Sequence, residues 1–273
     1  MARRSETISP TAHYTGYVWV RSGLSDPAFA TGEGRLLHRL LAPAMAVSGA
    51  VGGPTLEGFL LARHRLIDEL LTEAIERHGI TQVVEIAAGL AARGWRFTRR
   101  HPDLTYLEAD LPGMAGRKRR ILRRASPAGP GHRVVELDVL EDGGLDRVVA
   151  GLDPARGLVI VTEGLVNYFD ERTVRAMWSR FARALGRFER GRYLSDLHLA
   201  TSDFAVRAFT RALSVFVRGK VHLHFDGEAA AERALKTAGF ARAVLHVPPD
   251  NRLVRVIEAD TVDGRVQDAG PER

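Results

Sequence analysis

Four acids sit at or beside the ends of successive apolar runs: Glu85, Asp110, Asp138 and Glu163. Glu85 lies in Val83-Val84-Glu85-Ile86-Ala87-Ala88-Gly89-Leu90-Ala91, a β-rich run passing through small residues into a helical pattern. Small side chains there let a ligand approach the backbone, and the following helix offers free N–H groups. A dinucleotide fingerprint requires G-x-G-x-x-G; here those positions are Ala87, Gly89 and Ala92, a poor match to a pyrophosphate turn. Asp110 follows Gly89 by 21 residues, where an acid accepts from both hydroxyls of a ribose. Glu108 competes for that role on spacing alone. Asp138 and Val139 close a third run, and Glu163 in Val161-Thr162-Glu163-Gly164-Leu165-Val166-Asn167-Tyr168-Phe169 closes a fourth. Glu163 could hold the amino-acid end of a cofactor, or the substrate. Ligands of open α/β sheets sit beyond the carboxyl ends of the strands, so acids in series there point to one site.

The elements needed to position them are legible. From Thr55, Leu56, Phe59, Leu60, Arg63, Leu66, Ile67, Leu70, Leu71, Ala74 and Ile75 follow helical spacing, and Gly79 ends the run. Strands are predicted at 82–87, 104–109, 133–137, 158–162 and 193–197, with helices at 90–100, 113–124, 144–150 and 171–188 between them. This alternation implies βαβ units and a parallel sheet covered on both faces. Residues 202–216 read as a helix, and Asp226 as the N-cap of a helix over 228–238 closed by Gly239. Runs 241–247 and 252–259, joined by Pro248-Pro249-Asp250-Asn251, read as antiparallel neighbours. Residues 1–54 read as a separate cap or lid with one short helix near 36–41, leaving 55–273 as the ligand-binding domain.

Composition narrows the classes. The 273 residues are 45% hydrophobic and 26% charged, ordinary globular usage for one large domain or one domain with an elaboration. Without cysteine there are no disulfides, thiolate nucleophiles or common structural zinc sites. The segment 36–51 is cut by Arg39 and Pro43, short of the roughly 18 apolar residues of a membrane span. The N-terminus has no apolar core after its arginines, so a cytoplasmic protein without a secretory signal is expected. Net charge is +6, but all the basic residues except Lys118, Lys220 and Lys236 are arginine, as a GC-rich coding bias produces. In the densest run, Arg117 to Arg120 with Arg123 and Arg124, helical reading turns Ile121 and Leu122 inward and leaves all six cations in water. No aromatic residue is interleaved to stack a base, so nucleic acid is not the expected partner. His222 and His224 point to one face of a short alternation, as half-buried structural residues or a metal pair; no metal site is assigned. Tyr14, Tyr17 and Trp19, with Tyr168, could wall an aromatic substrate pocket or simply pack, and His13 carries the same ambiguity.

Glu85 to Gly89, Tyr-Leu-Glu-Ala-Asp-Leu-Pro with downstream Arg117-Lys118, and Thr-Glu-Gly-Leu-Val-Asn-Tyr-Phe together resemble the leucine carboxyl methyltransferase superfamily. The likeness covers roughly residues 55–200 and leans to its bacterial polyketide-type O-methyltransferase branch. It implies a class I methyltransferase fold: a mostly parallel seven-stranded sheet with an antiparallel last strand, helices on both faces and an N-terminal helical cap. It further implies S-adenosylmethionine as cofactor and a small-molecule methyl acceptor. On that likeness Arg63 pairs with the methionine carboxylate and Glu163 lies near its amino group. Gly89 forms the glycine turn, Asp110 holds the ribose, and Asp138 and Val139 flank the adenine. The chain departs from the family at Ala87, where glycine is common, and at Ala91-Ala92, where polar residues are common.

Methyl transfer from a sulfonium is an in-line displacement, so it rests on orientation. A carboxylate acceptor is already ionised at neutral pH, whereas a phenol needs a base. His198, in Ser195-Asp196-Leu197-His198, is the candidate base, with Asp196 orienting it; its plain alternative is a surface or capping histidine. Three other functions compete: a nicotinamide dehydrogenase, a methyltransferase fold without turnover acting as a scaffold, and a nucleic-acid methyltransferase supported by pI alone. Oligomeric state is not legible in the sequence.

Overall fold

A computed structural model describes residues 10–50, 55–200, 221–249 and 251–262; the helix expected over 202–216 lies outside them. Among the described residues there are seven strands: β1 (Gln82–Ile86), β2 (Thr105–Asp110), β3 (His132–Glu136), β4 (Leu158–Thr162), β5 (Gly191–Leu197), β6 (Arg242–His246) and β7 (Arg255–Asp260). They form one sheet in the order β3-β2-β1-β4-β5-β7-β6. The first five pair in parallel, and β7 runs antiparallel to both β5 and β6. The sheet is thus mostly parallel with a reversed last strand, as expected. The helices are α1 (Pro10–Arg21), α2 (Gly32–Ala50), α3 (Leu56–Glu76), α4 (Arg93–Arg100), α5 (Pro112–Leu122), α6 (Gly144–Val149), α7 (Glu171–Leu185) and α8 (Glu228–Ala238).

Strand parity sorts the side chains into two cores. Val84 and Ile86 of β1, Leu107 of β2, Leu158 and Ile160 of β4 and Tyr193 of β5 pack on one face against α7 and α8 through Trp178, Phe181 and Leu235. Val83, Tyr106, Val159, Val161 and Leu194 pack on the other against Ile67, Leu71 and Ala74 of α3 and Phe97 of α4. The same alternation puts Glu85, Glu108 and Asp196 on the α3/α4 face, where all three are buried.

Several boundaries differ from expectation for local reasons. α4 starts at Arg93 rather than Leu90, because Ala87 and Gly89 adopt φ +56° and +51° and the turn runs on to Ala92. β7 starts at Arg255, since Asn251 Oδ1 accepts from Leu253 N and holds that stretch in the turn. α8 begins after Gly227 with no side-chain cap, so Asp226 is not its N-cap. Lys118 overturns the reading of six solvated cations: it is fully buried, and α5 buries Ala115 and Lys118.

The largest correction concerns the cap, where two long helices replace the short one. Its glycines hide the period because they are contact points. A Cβ at Gly34 of α2 would lie 2.4 Å from His13 O of α1, and one at Gly16 would lie 3.0 Å from Leu90 Cβ. Tyr14, Val18 and Trp19 form a third core with Leu56, Phe59 and Leu60 of α3 and Val254.

Candidate functional site

The carboxyl ends of β1, β4 and β5 meet α3 and α4 in a buried ionic cage. Arg63 of α3 donates from Nε to Glu163 Oε1 at 3.2 Å and from Nη1 to Asp196 Oδ2 at 2.7 Å. His64 Nδ1 lies 2.8 Å from Glu163 Oε2. Arg93, the first residue of α4, donates to Asp68, Glu85 and Glu163 together. Arg96 closes the far side on Asp68 Oδ2 at 2.6 Å, and Tyr106 donates to Glu85 Oε2 at 2.9 Å. The Glu163 side chain is 8% exposed. Burial pushes its carboxyl up, yet His64, Arg93 and Arg63 outweigh burial and hold it well below the usual carboxylate range. Gly164 N donates to Asp196 Oδ1 at 2.7 Å and ties the β4 end to β5.

Beside the cage, Asp110 stands at the end of β2. Its Oδ2 accepts from Gly89 N and its Oδ1 from Leu111 N, both at 2.8 Å. Burial raises its pKa above the ordinary value. Glu108, its rival on spacing, faces inward: it takes Gly94 N at 3.1 Å, Lys118 Nζ at 3.0 Å and His132 Nε2 at 2.9 Å. Lys118 also reaches Ala88 O at 3.4 Å, so the buried lysine pins the β1–α4 turn to β2.

The remaining candidates lie outside the cage. Asp138 is exposed just past β3 and accepts from Leu140 N, while Val139 packs partly against the α7-side core. His198 is buried, stacks on Phe59 with ring centroids 5.2 Å apart, and holds Nε2 3.9 Å from Asp196 Oδ2. Burial depresses its pKa to about 4. Tyr14 and Trp19 lie in the cap core, Trp19 stacked on His64 at 4.2 Å. Tyr17 is half-buried edge-on to His38, and Tyr168 is exposed. His13 Nδ1 lies 2.9 Å from Thr31 Oγ1. His222 and His224 stack at 6.0 Å, and no group of three metal-ligating side chains occurs among the described residues.

The pattern of the leucine carboxyl methyltransferase family matches residues 28–182, over half of the chain. The chain belongs to this family. The match spans Arg63, the glycine turn, Asp110, Asp138 and Glu163, and leaves Asp196 and His198 beyond it. A protein of Frankia alni described as an S-adenosyl-L-methionine-dependent methyltransferase is 30% identical over 155 residues, 56% of this chain and 53% of that protein. One of Mycobacterium tuberculosis with the same description is 29% identical over 169 residues, 60% and 49%. The chain spans about half the length of these curated relatives. A Thermobifida fusca structure described as a methyltransferase superposes with TM-score 0.64 at 14% identity, covering 92% of this chain and 94% of that one. An O-methyltransferase family protein from Burkholderia thailandensis gives 0.52 at 19%, covering 93% and 71%. These likenesses are of fold, and the sheet is that of class I methyltransferases.

Sequence reasoning missed His64, Asp68, Arg93 and Arg96. A signal was present: Arg63, His64 and Asp68 interrupt the apolar stripe of α3 between Leu60, Ile67 and Leu71, and a charge on a buried stripe requires a buried partner.

Proposed function

We propose that the protein is an S-adenosylmethionine-dependent O-methyltransferase acting on a small organic acid, of the polyketide-like kind that the sequence likeness suggests. The observation that carries this reading is the pairing of Arg63 with Glu163 beside the Gly89 turn and Asp110. The donor set fits the cofactor group by group. Arg63 is a cation for a carboxylate and Glu163 an anion for an ammonium. Asp110 is an acid whose two oxygens each hold one backbone amide and keep lone pairs for ribose hydroxyls. Gly89 leaves the backbone bare at the turn, and Asp138 with Val139 would flank the adenine. The cofactor supplies a methyl group on a cationic sulfur, open to displacement by an oxygen nucleophile.

The chain's own groups favour a carboxylate acceptor over a phenol. With its pKa near 4, His198 is neutral at pH 7 and a weak base. Taking a proton from a phenol of ordinary pKa about 10 would then be uphill by roughly 8 kcal/mol. A carboxylate arrives ionised and asks only to be aligned and kept from water. Trp19, stacked on His64 of the cage from α1, would exclude water, and Tyr17 and Tyr168 offer aromatic surface to an acceptor.

Thermal unfolding with S-adenosylhomocysteine, and with NAD and adenosine in parallel, tests the reading. At about 100 times its dissociation constant a ligand adds roughly 2.7 kcal/mol, a rise in Tm of about 5–10 °C here. A rise with the homocysteine compound is expected. A rise with NAD alone would return the dehydrogenase reading, and binding without methyl transfer to any small acid would favour a scaffold.

A further inference from the structure

Arg93 is wholly buried. It sits at the first position of α4, where free helical N–H groups already present positive charge, so the helix alone disfavours a cation there. Carboxylates set its position instead. Nε donates to Asp68 Oδ1 at 2.7 Å, Nη1 to Glu85 and Nη2 to Glu163 Oε2. Asp68 comes from α3, Glu85 from β1 and Glu163 from the residue after β4, so one planar fork joins three elements. An ammonium is a point charge and cannot make the same three-way junction.

Arg63 and Arg93 share Glu163 but divide the work. Arg63 holds Oε1 through Nε alone and spends Nη1 on Asp196, whereas Arg93 donates to Oε2 through Nη2, and His64 Nδ1 lies 2.8 Å from both Oε2 and that Nη2. A ligand carboxylate arriving at Arg63 competes with Glu163 for it. Glu163 then needs a second cation in order to stay charged and in place, and Arg93 is that cation.

On the methyltransferase reading above, we propose that Arg93 is a positioning residue for the amino-acid end of the cofactor. It holds Glu163 ionised and aimed beside Arg63, so that an α-ammonium meets a fixed acceptor while the α-carboxylate meets Arg63. It does this without touching the ligand.

The test compares two ligands by calorimetry on the full chain: S-adenosylhomocysteine, which carries the amino-acid end, and 5′-methylthioadenosine, which lacks it. Wild type is expected to bind both. Arg93→Lys should weaken S-adenosylhomocysteine by about tenfold or more, as loss of a supporting partner does, and leave methylthioadenosine within about twofold. In a Glu163→Gln background the same substitution should cause no further selective loss. Equal weakening of both ligands would make Arg93 a general structural residue and overturn the proposal, as would no change in either. If wild type binds neither ligand, the methyltransferase reading itself fails. Should Arg93→Lys not fold, the charge-matched pair Arg93→Gln with Glu85→Gln carries the same comparison, because it removes one cation and one adjacent anion.

Discussion

Ala87 holds a left-handed backbone, φ +56°, in the turn that leads to the bare backbone of Gly89 at φ +51°. For an L-residue that conformation costs about 1–2 kcal/mol, which glycine avoids. Glycine also loosens the unfolded chain by about 0.4–1 kcal/mol, so the net changes are modest. Ala87→Gly should therefore raise stability by about 0.5–1 kcal/mol, and Gly89→Ala should lower it by a similar amount. A Cβ at Gly89 meets only Ala87 O at 3.9 Å and Ala12 Cβ at 4.0 Å, so the loss would be one of backbone strain without a clash. Urea unfolding at unchanged m reads both directly. Opposite signs are expected, and like signs would show that packing rather than φ governs the turn. Alanine thus preserves the backbone path of a glycine turn at an energetic cost, which weighs against reading Ala87 as a lesion.

Among the elements, β7 carries its own ionic cluster. Glu258 is 6% exposed and faces Arg192 of β5 at 2.7 Å and His246 of β6 at 2.9 Å, with Arg242 at 3.5 Å. Burial pushes its carboxyl up, but His246, Arg192 and Arg242 bring it down to about 2. A depressed carboxyl stabilises the fold above its unfolded pKa near 4.5 and loses that contribution as pH falls toward 2. The pairing is worth about 2–3 kcal/mol, so Glu258→Gln should lower stability at pH 7 and flatten the urea-derived slope between pH 5 and 2. An unchanged slope would remove Glu258 from the account of the reversed sheet end. Sequence periodicity reached the βαβ order and the terminal hairpin, because β1 to β5 carry Val, Ile and Leu runs and turn residues punctuate them. It reached the acids as well, since strand ends are where periodicity stops. The cations were less legible: Lys118 and Arg93 look like surface charges until strand parity puts Glu108 and Glu85 beneath them. Two glycines at helix contacts, Gly16 and Gly34, likewise read as breakers and concealed α1 and α2.

At the scale of the molecule, three cores meet at the site, and α1 is the element that joins the cap to it. Trp19 stacks on His64 of the cage, and Ala12 and Gly16 lie against Gly89 and Leu90 of the turn. Opening α1 would therefore uncover both the ionic cage and the glycine turn, the two places where, on the proposed function, a cofactor would be gripped. If the cofactor is lost whenever α1 opens, ligand at about 100 times its dissociation constant should slow amide exchange in α1 by about 100-fold, since that opening must then overcome the whole binding term. Amides of α8, on the α7-side face away from the cap core, should keep the exchange rates of their local fluctuations. Hydrogen exchange with and without S-adenosylhomocysteine distinguishes the cases. Protection rising in α1 but not in α8 would make the cap the water-excluding wall that an in-line displacement requires. Unchanged exchange in α1 would leave the cap as packing alone, with Tyr14 and Trp19 serving the core and not the chemistry.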